Sequence, residues 1–153
     1  MSATNDTLDN PVAALRLSQS EAIVAVLAGA VAVDGVVGSE ENRRLGEVLA
    51  STRWVLGLSE DRVAGAAKRG RDLIATHGLP AVLEASADAI PPDLRPTMFA
   101  LAVDLVLADG CLGSPENSFI DHLQGALQID GELSRKIVDV LLIKNRASGR
   151  PDV

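Results

Sequence analysis

A chain of 153 residues is long enough for one domain with its own core, and a single cysteine, Cys111, leaves it no intramolecular disulfide to rely on. Ala, Val and Leu supply nearly all of a 47% hydrophobic fraction, with Trp54, Phe99 and Phe119 the only aromatics, so small and branched aliphatics must fill that core. Twenty-one Asp and Glu against fourteen Lys and Arg give a formal charge of −7, a field that disfavours nucleic acid and anionic lipid and favours cations or basic partners.

The opening residues, MSATNDTLDN, carry neither a basic nor an apolar leader region, which points to a cytoplasmic protein. Residues 1–17 read as a loosely held polar arm, 18–147 as the folded domain and 148–153 as a tail. Ser18 and Glu21 have capping-box spacing, so a first helix is expected from about Ser20 to Val33. Its apolar stretch, Ala22 to Val33, runs twelve residues, short of the roughly 20 that cross a bilayer, and reads as a core helix with no transmembrane segment.

Gly35 and Gly38 break the run, Ser39 offers an N-cap, and a second helix follows from about Glu40 to Leu56. A third runs from the Ser59-Glu60-Asp61 start to Gly78, carrying Val63, Ala66, Ala67, Leu73 and Ile74 at helical spacing. Pro80 opens a short fourth helix, which Ile90-Pro91-Pro92 stops. Asp93 is expected to cap a fifth, with Pro96 in its first turn, ending at Ala108. Ser114-Pro115 reads as an N-cap and first helical residue of a sixth, and Asp130 as the cap of a last helix reaching about Arg146. The fold class is therefore all-α, a single-domain bundle of about seven helices.

The chain also repeats itself. Residues 31–42 laid on residues 106–117, at an offset of 75, match at seven of twelve positions. These pair Val31 with Val106, Asp34 with Asp109, Gly35 with Gly110, Gly38 with Gly113, Ser39 with Ser114, Glu41 with Glu116 and Asn42 with Asn117. An apolar helix precedes each turn and a more amphipathic one follows, so the repeated unit is helix, acidic turn, helix. Packed about an approximate two-fold axis, two such units would bring Asp34, Glu41, Asp109 and Glu116 together, and four clustered carboxylates would draw a cation.

Capping alone explains part of this pattern. The glycines suit a tight turn, the serines cap, and Glu41 and Glu116 gain up to about 1 kcal/mol at a helix N-terminus. Asp34 and Asp109 fit capping less well, because a carboxylate at the negative end of a helix needs compensation from turn N–H groups or a metal. The D-G-x-x-x-x-x-E pattern matches the second half of an EF-hand loop, yet Ala30 and Ala32, then Leu105 and Leu107, stand where its first and third oxygen ligands belong. A site would have to be shared, and all-oxygen ligands favour Ca2+, Mg2+ or Mn2+ over zinc.

With these two turns the chain resembles the tellurite-resistance TerB and TerB-like proteins, whose hallmark is the paired A-D-G-x-x-x-x-x-E turn, most closely a subgroup found in cyanobacteria. The resemblance runs from about Glu21 to Arg146 and is strongest over Leu94-Arg95, Phe99 to Gly110, Glu116, Leu123, Ala126-Leu127, Ile129 and the closing Ile143 to Arg146. It implies a seven-helix cytoplasmic bundle linked to tellurite, stress or phage resistance, with an acidic face proposed to bind divalent cations and no established catalysis. On this sequence the acidic pairs become Asp34 with Glu41 and Asp109 with Glu116. Val33 before Asp34, and Pro115 and Asn117 beside Glu116, depart from the family's commoner residues.

The expected function is a non-enzymatic stress-response protein that binds a divalent cation through those four carboxylates, as a monomer or homodimer with possible protein partners. The alternative is a metal-free interaction module whose acidic turns are helix caps. Asp104 is expected to pair with an arginine or cap a neighbouring helix, since it points about 140° away from Asp109. His77, His122 and Cys111 read as surface or packing residues; no Ser, Cys or His is placed as a nucleophile or base, and no Gly-rich phosphate loop is present.

Overall fold

The computed structural model describes residues 15–33, 43, 46–51, 60–108 and 112–146. They form six α-helices: α1 (Gln19–Ala32), α2 (Glu60–His77), α3 (Leu79–Ala89), α4 (Arg95–Val106), α5 (Ser114–Leu127) and α6 (Gly131–Lys144). A 3-10 turn, Pro92–Leu94, precedes α4, and residues 46–51 are also helical. No strand occurs among the described residues. With the 46–51 segment in the place of the expected second helix, the seven-helix expectation stands, and the bundle is all-α.

α1 sits at the centre because it has no polar face. Every residue from Ala22 to Val31 is buried, and a helix that is apolar all round is stable only inside other helices. α2, α3 and α4 pack directly on it; α5 packs on α3 and α4, and α6 on α4. Phe99, Met98 and Leu123 add the large side chains, and burying a residue such as Leu27 contributes about 1.5–3 kcal/mol. Since the buried run of α1 is mostly Ala, Val and Gly, its neighbours can come close. A Cβ placed on Gly70 of α2 would lie 3.2 Å from Cα of Ala25 and 3.7 Å from Cβ of Ala28, so the missing side chain sets the α1–α2 approach.

The helix ends follow local chemistry. Ser18 Oγ accepts from the Glu21 N–H at 3.1 Å while Glu21 Oε1 accepts from the Ser18 N–H at 3.0 Å, the reciprocal capping box. The other Glu21 oxygen pairs with Arg69 of α2, fastening the start of the central helix to its neighbour. Gly78 alone separates α2 from α3; at φ 84° it takes a left-handed conformation that few other residues tolerate, and its carbonyl accepts from Val82 at 3.2 Å. Asp130 caps α6 as expected, accepting from the N–H groups of Glu132 and Leu133 at 3.1 and 3.2 Å.

Two expected caps are corrected. Asp93 does not cap the fifth helix: it lies inside the 3-10 turn, and α4 starts behind Leu94 without a side-chain cap. Prolines at 91, 92 and 96 hold this stretch at fixed φ, and Arg95 turns its guanidinium back onto the preceding helix instead. Its Nε donates to the Ile90 carbonyl at 3.1 Å and its Nη2 to the Ala87 carbonyl at 3.0 Å, satisfying the exposed end of α3. Ser114 is likewise the first residue of α5 and not its N-cap; that position belongs to Gly113, whose carbonyl accepts the first helical bond from Asn117 at 3.0 Å. The end of α5 carries no glycine, and Gln128 adopts the left-handed conformation there at φ 56°.

Two glycines of α2 should respond in opposite directions. Gly65 has open space around the position of a Cβ, so Gly65→Ala is expected to raise stability by about 0.5–1 kcal/mol. Gly70→Val has to push α1 away, and should lower stability by about 1–3 kcal/mol. Urea unfolding followed by circular dichroism measures both. The capping box makes a separate prediction, because the Ser18 N–H holds the Glu21 carboxyl below its ordinary value of 4.5, with Arg69 acting in the same sense and partial burial opposing them. A depressed folded-state pKa adds stability above the unfolded value and loses it as pH falls through the folded one. The stability difference between wild type and Glu21→Gln should therefore be full above pH 4.5 and close on acidification below it.

Candidate functional site

Three described helices border the repeated segments: α1 before the first, and α4 and α5 on either side of the second. α1 closes at Val33 in a helical conformation. α4 runs into the second turn with Leu107 N–H donating to the Val103 carbonyl at 2.9 Å and Ala108 N–H to that of Leu105 at 3.2 Å. The two helices that lead into the acidic turns, α1 and α4, pack directly against each other. Of the four carboxylates singled out by sequence, Glu116 is among the described residues; Asp34, Glu41 and Asp109 lie outside them, as do Gly35, Gly38, Ser39 and Cys111.

Glu116 is half-buried in the first turn of α5, and its Oε2 accepts from the Gly113 N–H at 3.1 Å. This is the carboxylate half of a capping box, with glycine in the place of the hydroxyl residue, so Glu116 closes the turn that it follows. Accepting one amide leaves an ionised carboxylate with further lone pairs for a cation. Among the described residues, no group of three or more His, Cys, Asp or Glu is arranged to hold a metal.

Among the described residues Asp104 pairs with a lysine and an asparagine, not with the expected arginine. Its Oδ1 and Oδ2 accept from Lys144 Nζ at 3.1 and 3.3 Å, and Oδ1 also accepts from Asn145 Nδ2 at 2.8 Å. Asn145 Nδ2 in turn reaches the Leu141 carbonyl at 3.0 Å, so one amide closes α6 and ties it to α4. The end of a helix favours a lysine, and the partner carboxylate lies 40 residues away in sequence. This explains the Lys144-Asn145 pair of the closing motif as structural. His77 is exposed at the end of α2; His122 is exposed too, placed to donate from Nδ1 to the Ser118 carbonyl at 2.8 Å.

One feature was not visible from sequence. Between α3 and α5 lies a cleft of about 560 Å³, floored by Leu83, Ala87 and Ala126 and rimmed by Glu84, Asp88, Asp121 and His122. Glu84 and Asp88 stand four residues apart on one helix face, a spacing that marks a shared face but says nothing of what faces it. No helix among the described residues is long and apolar enough to cross a membrane.

Removing either side of the α4–α6 link should cost about 0.5–1.5 kcal/mol, with Asp104→Ala and Asn145→Ala together costing less than their sum because they share one hydrogen bond. Urea unfolding of the two single variants and the double variant reads that coupling.

A family model described as tellurite resistance protein TerB matches residues 20–138. No curated protein and no solved structure matches the chain.

Proposed function

From the premise that the chain belongs to the tellurite resistance protein TerB family, we propose that it acts in tellurite resistance or a related stress response as a non-enzymatic, cytoplasmic module. In this reading Asp34, Glu41, Asp109 and Glu116 hold one hard divalent cation, Ca2+, Mg2+ or Mn2+, and loading it prepares the surface for a protein partner. The observation that carries the proposal is the family match, which spans both acidic turns. The donor set supports it: four carboxylates with no thiolate or imidazole suit hard, oxygen-preferring ions. A cation there would neutralise charge that is otherwise unfavourable at the C-terminal ends of the preceding helices.

A second reading is favoured by the hydrogen bond from Gly113 to Glu116. It makes the acidic turns capping devices of a metal-free interaction bundle, and one family of substitutions separates the two. Glu116→Gln keeps an acceptor for the Gly113 amide but removes the charge, so it should leave metal-free stability within about 0.5 kcal/mol and reduce the response to metal. Asp109→Asn should do the same. Thermal unfolding of the wild type with and without millimolar Ca2+ or Mn2+ is the reference. An upward shift of the midpoint that both variants lose supports the cation site. A wild type that does not shift eliminates it and leaves the capping reading.

A further inference from the structure

α6 carries apolar residues on two sides. Ile137, Val138, Leu141 and Leu142 pack inward against the core. The opposite side exposes Leu133, Val140 at 62% and Ile143 at 72%. A helix held by packing on one face has no need of apolar residues on its wet face. The neighbouring α5 follows that rule, its exposed positions being Ser114, Pro115, Asn117, Ser118, Asp121, His122 and Gly125. The Ile143 of the closing motif is thus left without a structural role in the bundle, unlike Lys144 and Asn145 beside it.

We propose that this outer face of α6 is a self-association surface, on which a second copy of the chain docks with its own α6 antiparallel about a two-fold axis. The occupant follows from the symmetry of the stripe. Residues 133, 136, 140 and 143 are spaced three, four and three apart, the spacing of a helix–helix seam, and they are mirrored about residue 138. An antiparallel copy therefore sets Leu133 against the partner's Ile143, and Lys136 against the partner's Val140, each contact occurring twice as a two-fold interface requires. The charges agree with that register. Lys136 falls beside the partner's Asp139, on the same flank of the seam. Lys136 is exposed and bridges Glu132 of its own helix at 3.6 Å, which leaves its stem free to cover the partner's Val140. A single helix pair buries less than the roughly 1,200 Å² of a standard interface, so the dimer is a weak one.

Sedimentation equilibrium of the full chain, with a chelator present so that the outcome is independent of the cation reading, tests the proposal. A monomer–dimer equilibrium is expected with a dissociation constant of roughly 10–300 µM. Val140→Glu should weaken it by more than about tenfold, and so should Lys136→Glu, which faces the partner's Asp139 with a like charge. The double variant Lys136→Glu/Asp139→Lys should restore association, because the pair is reversed on both sides of the axis. Circular dichroism melts check that each variant is folded, as expected for exposed positions. A chain that stays monomeric at millimolar concentration overturns the proposal. A dimer indifferent to Val140→Glu, or a charge reversal that fails to rescue, overturns it as well. So does a monomer whose melting point falls with Val140→Glu, since the chain itself would then be covering the stripe.

Discussion

The burial of α1 on every side is the constraint from which the rest of the bundle follows. Ala22 to Val31 have no wet face, so the central helix has no stable existence until α2, α3 and α4 close around it. Its small residues then decide how near those helices come, as at Gly70 against Ala25. Such close approach gives many weak dispersion contacts per helix turn, which lets a chain with few aromatics build a dense core.

With α1 enclosed, the outer helices are fastened by polar links at their ends. Arg95 reaches back to the carbonyls that finish α3, Glu21 joins the head of α1 to α2 through Arg69, and Asp104 joins α4 to the end of α6. Each link satisfies a helix terminus and also fixes the position of a neighbouring helix. Charge in the described part of this acidic chain thus serves the architecture before it serves any ligand. Glu116, closing its own turn on Gly113, belongs to the same pattern.

Capping and cation binding need not compete in one carboxylate. A turn amide orients Glu116 and restrains its rotamers, and a restrained ligand loses less entropy on meeting an ion. The family assignment and the oxygen-only donor set bear on the ion, whereas the Gly113 bond bears on the turn. Self-association through α6 would be a separate property, on an element that packs on α4.

Helix number and order were determined by sequence alone, because apolar spacing, glycine stops and proline starts act within a few residues of chain. So were the Ser18–Glu21 box and the Asp130 cap, whose partners lie two or three residues away. Caps were misread where competing local signals met: Asp93 among prolines, and Ser114 one residue past a glycine that took its place. Tertiary structure alone decided that Asp104 meets Lys144 and Asn145, that Arg95 serves α3, and that Glu84 and Asp88 share a cleft with Asp121 and His122. Those pairings bridge helices, and helical periodicity specifies which way a side chain faces without specifying what stands opposite. The exposed stripe on α6 belongs to the same class: its amphipathic pattern reads as one more core helix until the packing shows which apolar face was left outside.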